Sequence, residues 1–268
     1  MAINSLFKNK LNKFFILVFV LAVPFWVISA LAKQGLPVPM NLPISALMFP
    51  VPLIAALIVV YSEEGSGGIR RLLKRIIDYK KIKPKWYLPI ILIMPIILIL
   101  SYVVMRLLGL PLPAEIYIPV LTIPILFIVF FIAAVGEEAG WMGFAADPML
   151  DKWSALKAAV ILGLVWAIWH FIPFIQTGNT LSWVAWQSFF SVMLRVLIVW
   201  VYINTGKSVL SAVLFHDIYN VSWSLFPNNG SNYDPAVTGI ITAITVVIVV
   251  FLWGAKTLSQ FRYSPSKY

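Results

Sequence analysis

The sequence predicts an all-α membrane protein with about eight transmembrane helices in one bundle and both termini in the cytoplasm. Of the 268 residues, 61% are hydrophobic and only 11% are charged, whereas soluble globular domains carry about 25% charged residues. The mean hydropathy is +0.94, and uncharged stretches of about twenty residues, long enough to cross a bilayer as helices, recur along the chain. These observations exclude the soluble, fibrous and disordered classes.

The first apolar run covers about residues 14–32 and follows three lysines. Ala30–Ala32 resembles the cleavage site of a signal peptide, but the run is longer than the apolar region of such peptides. We therefore expect a retained first helix, in which Pro24 is tolerated.

Three proline-containing runs follow, at about residues 42–61, 86–109 and 117–146, and the last is long and contains carboxylates. Prolines in membrane helices are typical of kinks rather than breaks. Kinks are therefore expected at Pro50, Pro52, Pro89, Pro95, Pro119 and Pro124. The remaining runs, bounded by charged residues, Pro or Gly, cover about residues 155–175, 181–203, 208–226 and 237–254.

The basic residues determine the predicted topology. With a cytoplasmic amino terminus, all but three of the 20 lysines and arginines fall in cytoplasmic segments; the exceptions are Lys33, in an outer loop, and Arg106 and Arg195, inside apolar runs. This bias is typical of the positive-inside rule and explains the net charge of +10. Residues 70–85 are strongly basic and could bind anionic lipid headgroups, but the rule favours an ordinary cytoplasmic loop.

Several kinds of site are excluded by composition. The chain has no cysteine, so it has no disulfides, no thiolate metal site and no cysteine nucleophile. The basic residues flank membrane segments, and the sequence contains no glycine-rich phosphate loop, so neither nucleic acid nor nucleotide is an expected partner.

The informative polar residues lie inside the apolar runs, where burial of an ionisable group is costly and indicates function. They come from the fourth to the seventh runs and include both histidines of the chain: Glu137, Glu138, His170, Arg195, His216, Asp217 and Asn220. At helical rise, Glu137 lies about 13 Å from the predicted cytoplasmic surface and His216 about 12 Å, so their depths match. His170 lies about 21 Å along its run, so that helix must tilt or follow an interfacial stretch.

These groups are suited to hydrolysis. A carboxylate such as Glu137 can act as a general base, a histidine can orient water or hold a metal, and a side-chain amide can stabilise an oxyanion. Glu137 and Glu138 point about 100° apart, so we expect one to be catalytic and the other supportive. Three neighbouring glycines would either admit a substrate backbone or simply pack helices: Gly136, Gly140 and Gly143.

The motifs around these residues resemble a known family. The segments GEEAGWMGF at 136–144, WAIWHFIP at 166–173 and HDIYN at 216–220 are similar to the CAAX protease and bacteriocin-processing family of intramembrane proteases. The family pattern is E-E-x-x-x-R, then F-x-x-x-H, then H-x-x-x-N, on consecutive helices of an eight-helix bundle. The resemblance covers about residues 115–226.

By this resemblance, Glu137 and His170 activate the attacking water, His216 and Asn220 lie near the oxyanion or hold the water, and Glu138 supports them. No cofactor is certain. Zinc is compatible with Glu137, His170 and His216 by ligand type, although the chain has no H-E-x-x-H motif. The resemblance implies a catalytic core at residues 114–226, preceded by membrane helices and a basic loop at 1–113 and followed by a last helix and basic tail at 227–268.

The sequence departs from the family pattern at two positions. Trp166 replaces the phenylalanine and keeps an aromatic ring beside the histidine. Met142 replaces the arginine, which would have paired with Glu138 four residues earlier. Because a buried carboxylate needs a cation or a proton, we predict that Arg195 pairs with Glu138; the alternative is that Arg195 lines a cavity or binds neighbouring carbonyl and amide groups.

The predicted function is a multi-pass cell-membrane endopeptidase that hydrolyses a membrane-associated substrate, either a prenylated C-terminal peptide or a peptide precursor. A non-catalytic membrane regulator or bacteriocin-immunity protein on the same fold is the first alternative, supported by Met142. A transporter or proton relay is the second, although the sequence lacks the paired half-helix segments typical of transporters.

Overall fold

The protein is helical throughout the part of the chain that the structure describes. This structure, a computed structural model, describes residues 2–32, 42–113, 120–227, 229–259 and 261–262. The helices are α1 (Ala2–Ala32), α2 (Val51–Ile76), α3 (Tyr87–Leu107), α4 (Ile123–Gly140), α5 (Ala146–Lys152), α6 (Ala155–Gln176), α7 (Leu181–Asn204), α8 (Val209–Ser224) and α9 (Pro235–Trp253). Lys33, Lys267 and residues 117–119 of the fourth predicted run lie outside the described residues.

Seven helical segments of the described chain are long and apolar enough to cross a membrane. The predicted all-α membrane bundle is therefore confirmed, and the protein is a multi-pass membrane protein. The seventh predicted run forms α8, which at 16 residues is shorter than the other spans. This helix packs against α3, α4 and α7 inside the bundle. The cytoplasmic placement of the termini remains a prediction.

The second helix is longer than predicted, because it continues past residue 61 to Ile76. The interpretation of residues 70–85 as a loop is therefore wrong for residues 70–76. Leu72 lies on the inner face of this extension and is buried, which explains why the helix continues beyond the apolar run. Gly65 interrupts it with φ 62° and ψ −159°, a conformation that essentially only glycine adopts.

The prolines of the second and fourth runs start helices rather than kink them. Pro50 is the N-cap residue of α2, Pro52 lies in its first turn, and Pro124 lies in the first turn of α4. Proline is favoured there because the first backbone N–H groups of a helix have no intrahelical partner. The expected kinks are wrong at these positions, whereas Pro95 does lie inside α3.

The fourth run ends in an unusual way. After α4 the backbone widens into a π-helical turn at Trp141–Ala145 and then continues as α5. Such turns are rare and occur mostly as single turns inserted into α-helices, often near functional sites. This turn directly follows the two glutamates.

Helix α7 forms the centre of the bundle. In the most apolar part of this helix 72% of the residues are buried in the protein, compared with 44% or less in the other spans. It packs against α6, α8 and α9, and Gly163 of α6 allows the close approach of Val192 on α7. Helices α4 and α8 also pack together, so that four helices (α4, α6, α7 and α8) surround the polar groups.

Candidate active site

Glu138 is the centre of a buried ion-pair network. Its side chain is fully buried, and its two carboxylate oxygens have different partners, an arginine and a histidine. Oε2 accepts a hydrogen bond from Arg195 Nη1 at 2.6 Å, and Oε1 lies 2.9 Å from His216 Nδ1. One carboxylate on α4 therefore joins α7 and α8.

Arg195 pairs with Glu138 as predicted. The arginine is fully buried, and its guanidinium carbon lies 4.2 Å from the centre of the Trp166 ring. The aromatic face stabilises the cation in addition to the carboxylate. Arg195 thus supplies the positive charge that Met142, itself completely buried, cannot supply.

The contact with Glu138 also determines which ring nitrogen of His216 carries a proton. An ionised carboxylate only accepts hydrogen bonds, so Nδ1 of His216 carries a proton and donates it. Its other nitrogen, Nε2, is then available for chemistry. The ring is 3% exposed and packs edge-on against Trp166, with centroids 5.4 Å apart.

Glu137 has a different partner from its neighbour. Its Oε2 accepts a hydrogen bond from Nε1 of Trp166 at 2.7 Å, and the carboxylate is 7% exposed. The two glutamates therefore have separate surroundings, as their 100° separation predicted. The tryptophan does more than replace a phenylalanine ring, because phenylalanine has no N–H to donate.

His170 lies one turn after Trp166 on α6 and is half-buried. Its Nδ1 lies 3.1 Å from the Trp166 carbonyl oxygen, which can only accept, so Nδ1 carries the proton. Its ring packs edge-on against Trp166 at 5.1 Å and stacks on Phe174 at 5.6 Å. In neutral His170 the Nε2 atom is then a free acceptor.

Trp166 brings the predicted groups together. It donates to Glu137, contacts both histidine rings, and lies under Arg195. Glutamate, histidine and arginine side chains from four helices thus surround a single indole. The spatial convergence expected from the sequence is present, while the catalytic roles assigned to these residues remain predictions.

Two further residues of α8 lie beside this cluster. Asn220 is half-buried one turn after His216. Asp217 is completely buried, and neither of its carboxylate oxygens has a hydrogen-bond partner within the described residues. Nothing in the structure explains this unpaired carboxylate.

The three glycines of α4 and its wide turn pack helices. A Cβ atom on Gly136 would lie 2.8 Å from the Phe49 carbonyl oxygen, and one on Gly140 would lie less than 3.0 Å from that of Pro52. Gly143 faces Leu72 at 3.1 Å. The space beside all three is therefore occupied by residues of α2 and the turn before it, and the packing interpretation is the one supported.

The described residues contain no group of three or more His, Asp or Glu side chains arranged to hold a metal ion. Glu138 occupies Nδ1 of His216, and Trp166 occupies one oxygen of Glu137. Zinc binding by Glu137, His170 and His216 therefore remains a prediction.

A second polar network, which the sequence did not reveal, fixes the wide turn after α4. Arg75 of α2 donates to the Gly143 carbonyl oxygen at 2.7 Å and to Asp147 at 3.0 Å, and also contacts the Tyr202 hydroxyl. Lys207 adds an ion pair with Asp147 at 3.0 Å. The π-helical turn frees backbone carbonyls from their usual helical donors. A prediction of this turn would have been the only sequence-based indication that these carbonyls need another donor.

The chain is similar to known membrane proteases. Residues 119–222 match a family model described as type II CAAX prenyl endopeptidase Rce1-like. Over 220 residues the chain is 25% identical to CAAX prenyl protease 2 of Methanococcus maripaludis, an alignment that covers 75% of this chain and 78% of that protein. The resemblance inferred from the motifs is confirmed, and the matches support a membrane endopeptidase.

Proposed function

We propose that this chain, which is similar to CAAX prenyl endopeptidases, hydrolyses a peptide bond in a membrane-associated substrate by means of water activated by Glu137. A prenylated C-terminal peptide is the proposed substrate, because the named relative and the family model both refer to prenyl processing. The substrate is expected to enter from the predicted cytoplasmic side.

The observation that carries the proposal is the separation of the two adjacent glutamates. Glu138 is engaged on both oxygens, by the Arg195 cation and by the His216 ring, and so is held as a structural anion. Among the described residues, Glu137 is engaged through one oxygen, by a neutral donor. Two carboxylates in different surroundings take different roles, and Glu137 is the one suited to proton transfer.

In the first step Glu137 accepts a proton from water, and the water oxygen adds to the carbonyl carbon of the substrate. Trp166 holds Oε2 of the carboxylate, so Oε1 is the proposed base. Neutral His170 accepts the second hydrogen bond from the water through Nε2 and so fixes the direction of attack. A general base placed in this way contributes about 10²- to 10⁴-fold to the rate.

The oxyanion that forms needs donors placed in advance. His216, oriented by its Nδ1 contact with Glu138, donates through Nε2 when the ring carries both protons, and the side-chain amide of Asn220 provides a second donor. Glu137 then returns its proton to the leaving nitrogen as the C–N bond breaks. The products are a carboxylic acid and an amine, which become a carboxylate and an ammonium ion when the acid proton passes to the amine, and Glu137 is again ionised.

The non-catalytic alternative loses its main support. It rested on Met142, which lacks the charge of the family's arginine. Because Arg195 provides a cation to the same carboxylate, this departure does not leave the site incomplete.

The test is Glu137→Gln in full-length protein reconstituted in liposomes with a prenylated peptide. We expect proteolysis to fall at least 100-fold while the melting temperature stays unchanged, since the amide keeps an oxygen for Trp166 but cannot accept the proton. The matched control is Glu63→Gln, on the exposed surface, which should keep full activity. Undiminished proteolysis by the Glu137 variant would show that this residue is not the base.

A further inference from the structure

The break at Gly65 divides α2 into two parts with different surroundings. The first part belongs to an apolar span, whereas residues 66–76 are polar and amphipathic. The positive φ of Gly65 redirects the chain at this point, and a Cβ placed there meets no neighbouring atom. Glycine is therefore required at position 65 by the backbone and not by packing.

The inner face of residues 66–76 is fixed to the bundle. Gly68 and Leu72 are buried, and Arg75 on the same face bonds to the Gly143 carbonyl and to Asp147. These contacts hold the segment across the ends of α4 and α5. Its orientation is therefore set by the protein.

The outer face of residues 66–76 is both basic and apolar. It presents a shallow groove of about 360 Å³ lined by Ser66, Ile69, Arg70, Leu73, Lys74 and Ile77. Leu73 is 42% exposed and Ile77 is 70% exposed. Arg70 and Lys74 line the same groove.

The described part of the chain does not neutralise the cations of this face. Arg70 and Lys74 have no acidic partner among the residues that the structure describes, because the nearby carboxylates are engaged elsewhere. Glu63 pairs with Lys13 at 3.1 Å, and Glu64 pairs with Arg71 at 2.5 Å. Four more exposed lysines follow: Lys81 pairs with Asp78 at 3.0 Å, and the others are Lys80, Lys83 and Lys85.

We propose that residues 66–77 form an interfacial helix that docks on anionic phospholipid. Arg70 and Lys74 bind the headgroup phosphates, and Leu73 and Ile77 insert at the boundary with the acyl chains. A basic amphipathic face that leads directly out of a membrane span has the chemistry of a lipid-binding surface. A soluble anion such as phosphate would contact the cations but leave both apolar side chains in water.

The docking would also act on the wide turn, since Arg75 joins the inner face of this helix to the Gly143 carbonyl. Helix α2 thus connects the lipid surface to the residues that follow Glu138. The proposal itself does not depend on proteolysis, because lipid binding is measured directly.

The experiment uses the full-length protein in detergent micelles, titrated with phosphatidylglycerol or phosphatidylcholine and followed by native mass spectrometry. The wild type should bind phosphatidylglycerol preferentially. The double variant Arg70→Gln/Lys74→Gln should bind it about 30-fold more weakly, since each surface cation contributes about a factor of five. Phosphatidylcholine binding should not change.

The matched control is Lys152→Gln/Lys157→Gln, which removes two exposed cations from elsewhere on the chain and should preserve the preference. Equal losses in both double variants would reduce the effect to overall charge and overturn the proposal. A second variant, Leu73→Ser/Ile77→Ser, keeps the cations and should also weaken binding. Unchanged binding by this variant, or full competition by 10-fold excess inorganic phosphate, would equally overturn the docked helix.

Discussion

Removing the Arg195 guanidinium should destabilise the protein by several kilocalories per mole. The Arg195→Met variant leaves Glu138 fully buried with only His216 as partner. Coulomb's law with an effective dielectric constant of about 20 gives about 6 kcal/mol for charges 2.6 Å apart. Part of this attraction is offset by desolvation of the two ions, so the expected loss in the free energy of unfolding is about 3 to 5 kcal/mol.

The assay is a double-mutant cycle in detergent micelles, with denaturant unfolding followed by tryptophan fluorescence. Glu138→Gln is the second change, because glutamine keeps an acceptor for His216 while removing the charge. The combination of both changes leaves no unpaired ion, so the singles should be strongly non-additive, with a coupling energy of about 2 kcal/mol or more. Arg106→Met, the same substitution at an exposed arginine, should cost less than about 1 kcal/mol.

Additivity within about 0.5 kcal/mol would refute the reasoning. It would mean that the two side chains contribute independently, and that the carboxylate is not held by this arginine. Retention of full stability by the Arg195 single variant would lead to the same conclusion.

Two further predictions concern neighbours of the site. Trp166→Phe keeps the ring but removes the donor to Glu137, and we expect a fall in kcat of about tenfold with KM little changed, measured by steady-state proteolysis. Trp169→Phe is the control, since that buried N–H has no partner in the described residues; an equal fall in both variants would contradict an orienting role. Gly140→Ala forces a Cβ against the Pro52 carbonyl and should lower the free energy of unfolding by about 1 to 3 kcal/mol, whereas an unchanged denaturation midpoint would show that the two helices can separate freely.

The parts of the site that could be predicted from sequence are those in which burial alone restricts the chemistry. A buried carboxylate in an apolar bundle needs a cation or a proton, so the pairing of Glu138 with Arg195 was predicted once the family resemblance placed Met142 where an arginine was expected. The convergence of Glu137, His170 and His216 was predicted because they lie in the three motifs that resemble the family, in the same order.

The parts that were missed depend on tertiary packing. The Trp166 donor could have been found from the requirement that a buried indole N–H has a partner, but its acceptor could not, because either glutamate was within reach. The π-helical turn at Trp141–Ala145 has no hydropathy signal. The extension of α2 to Ile76 was missed because its inner face carries only a few apolar residues, and these are stabilised by contacts with the wide turn.

The position of Arg195 shows how a charge can be retained in space while it is lost from a sequence motif. The guanidinium reaches Glu138 from 57 residues downstream, whereas the family's spacing places it four residues away. A search that requires arginine at position 142 would reject this chain as degenerate. A criterion based on whether a carboxylate oxygen receives a cation, from any helix, would accept it.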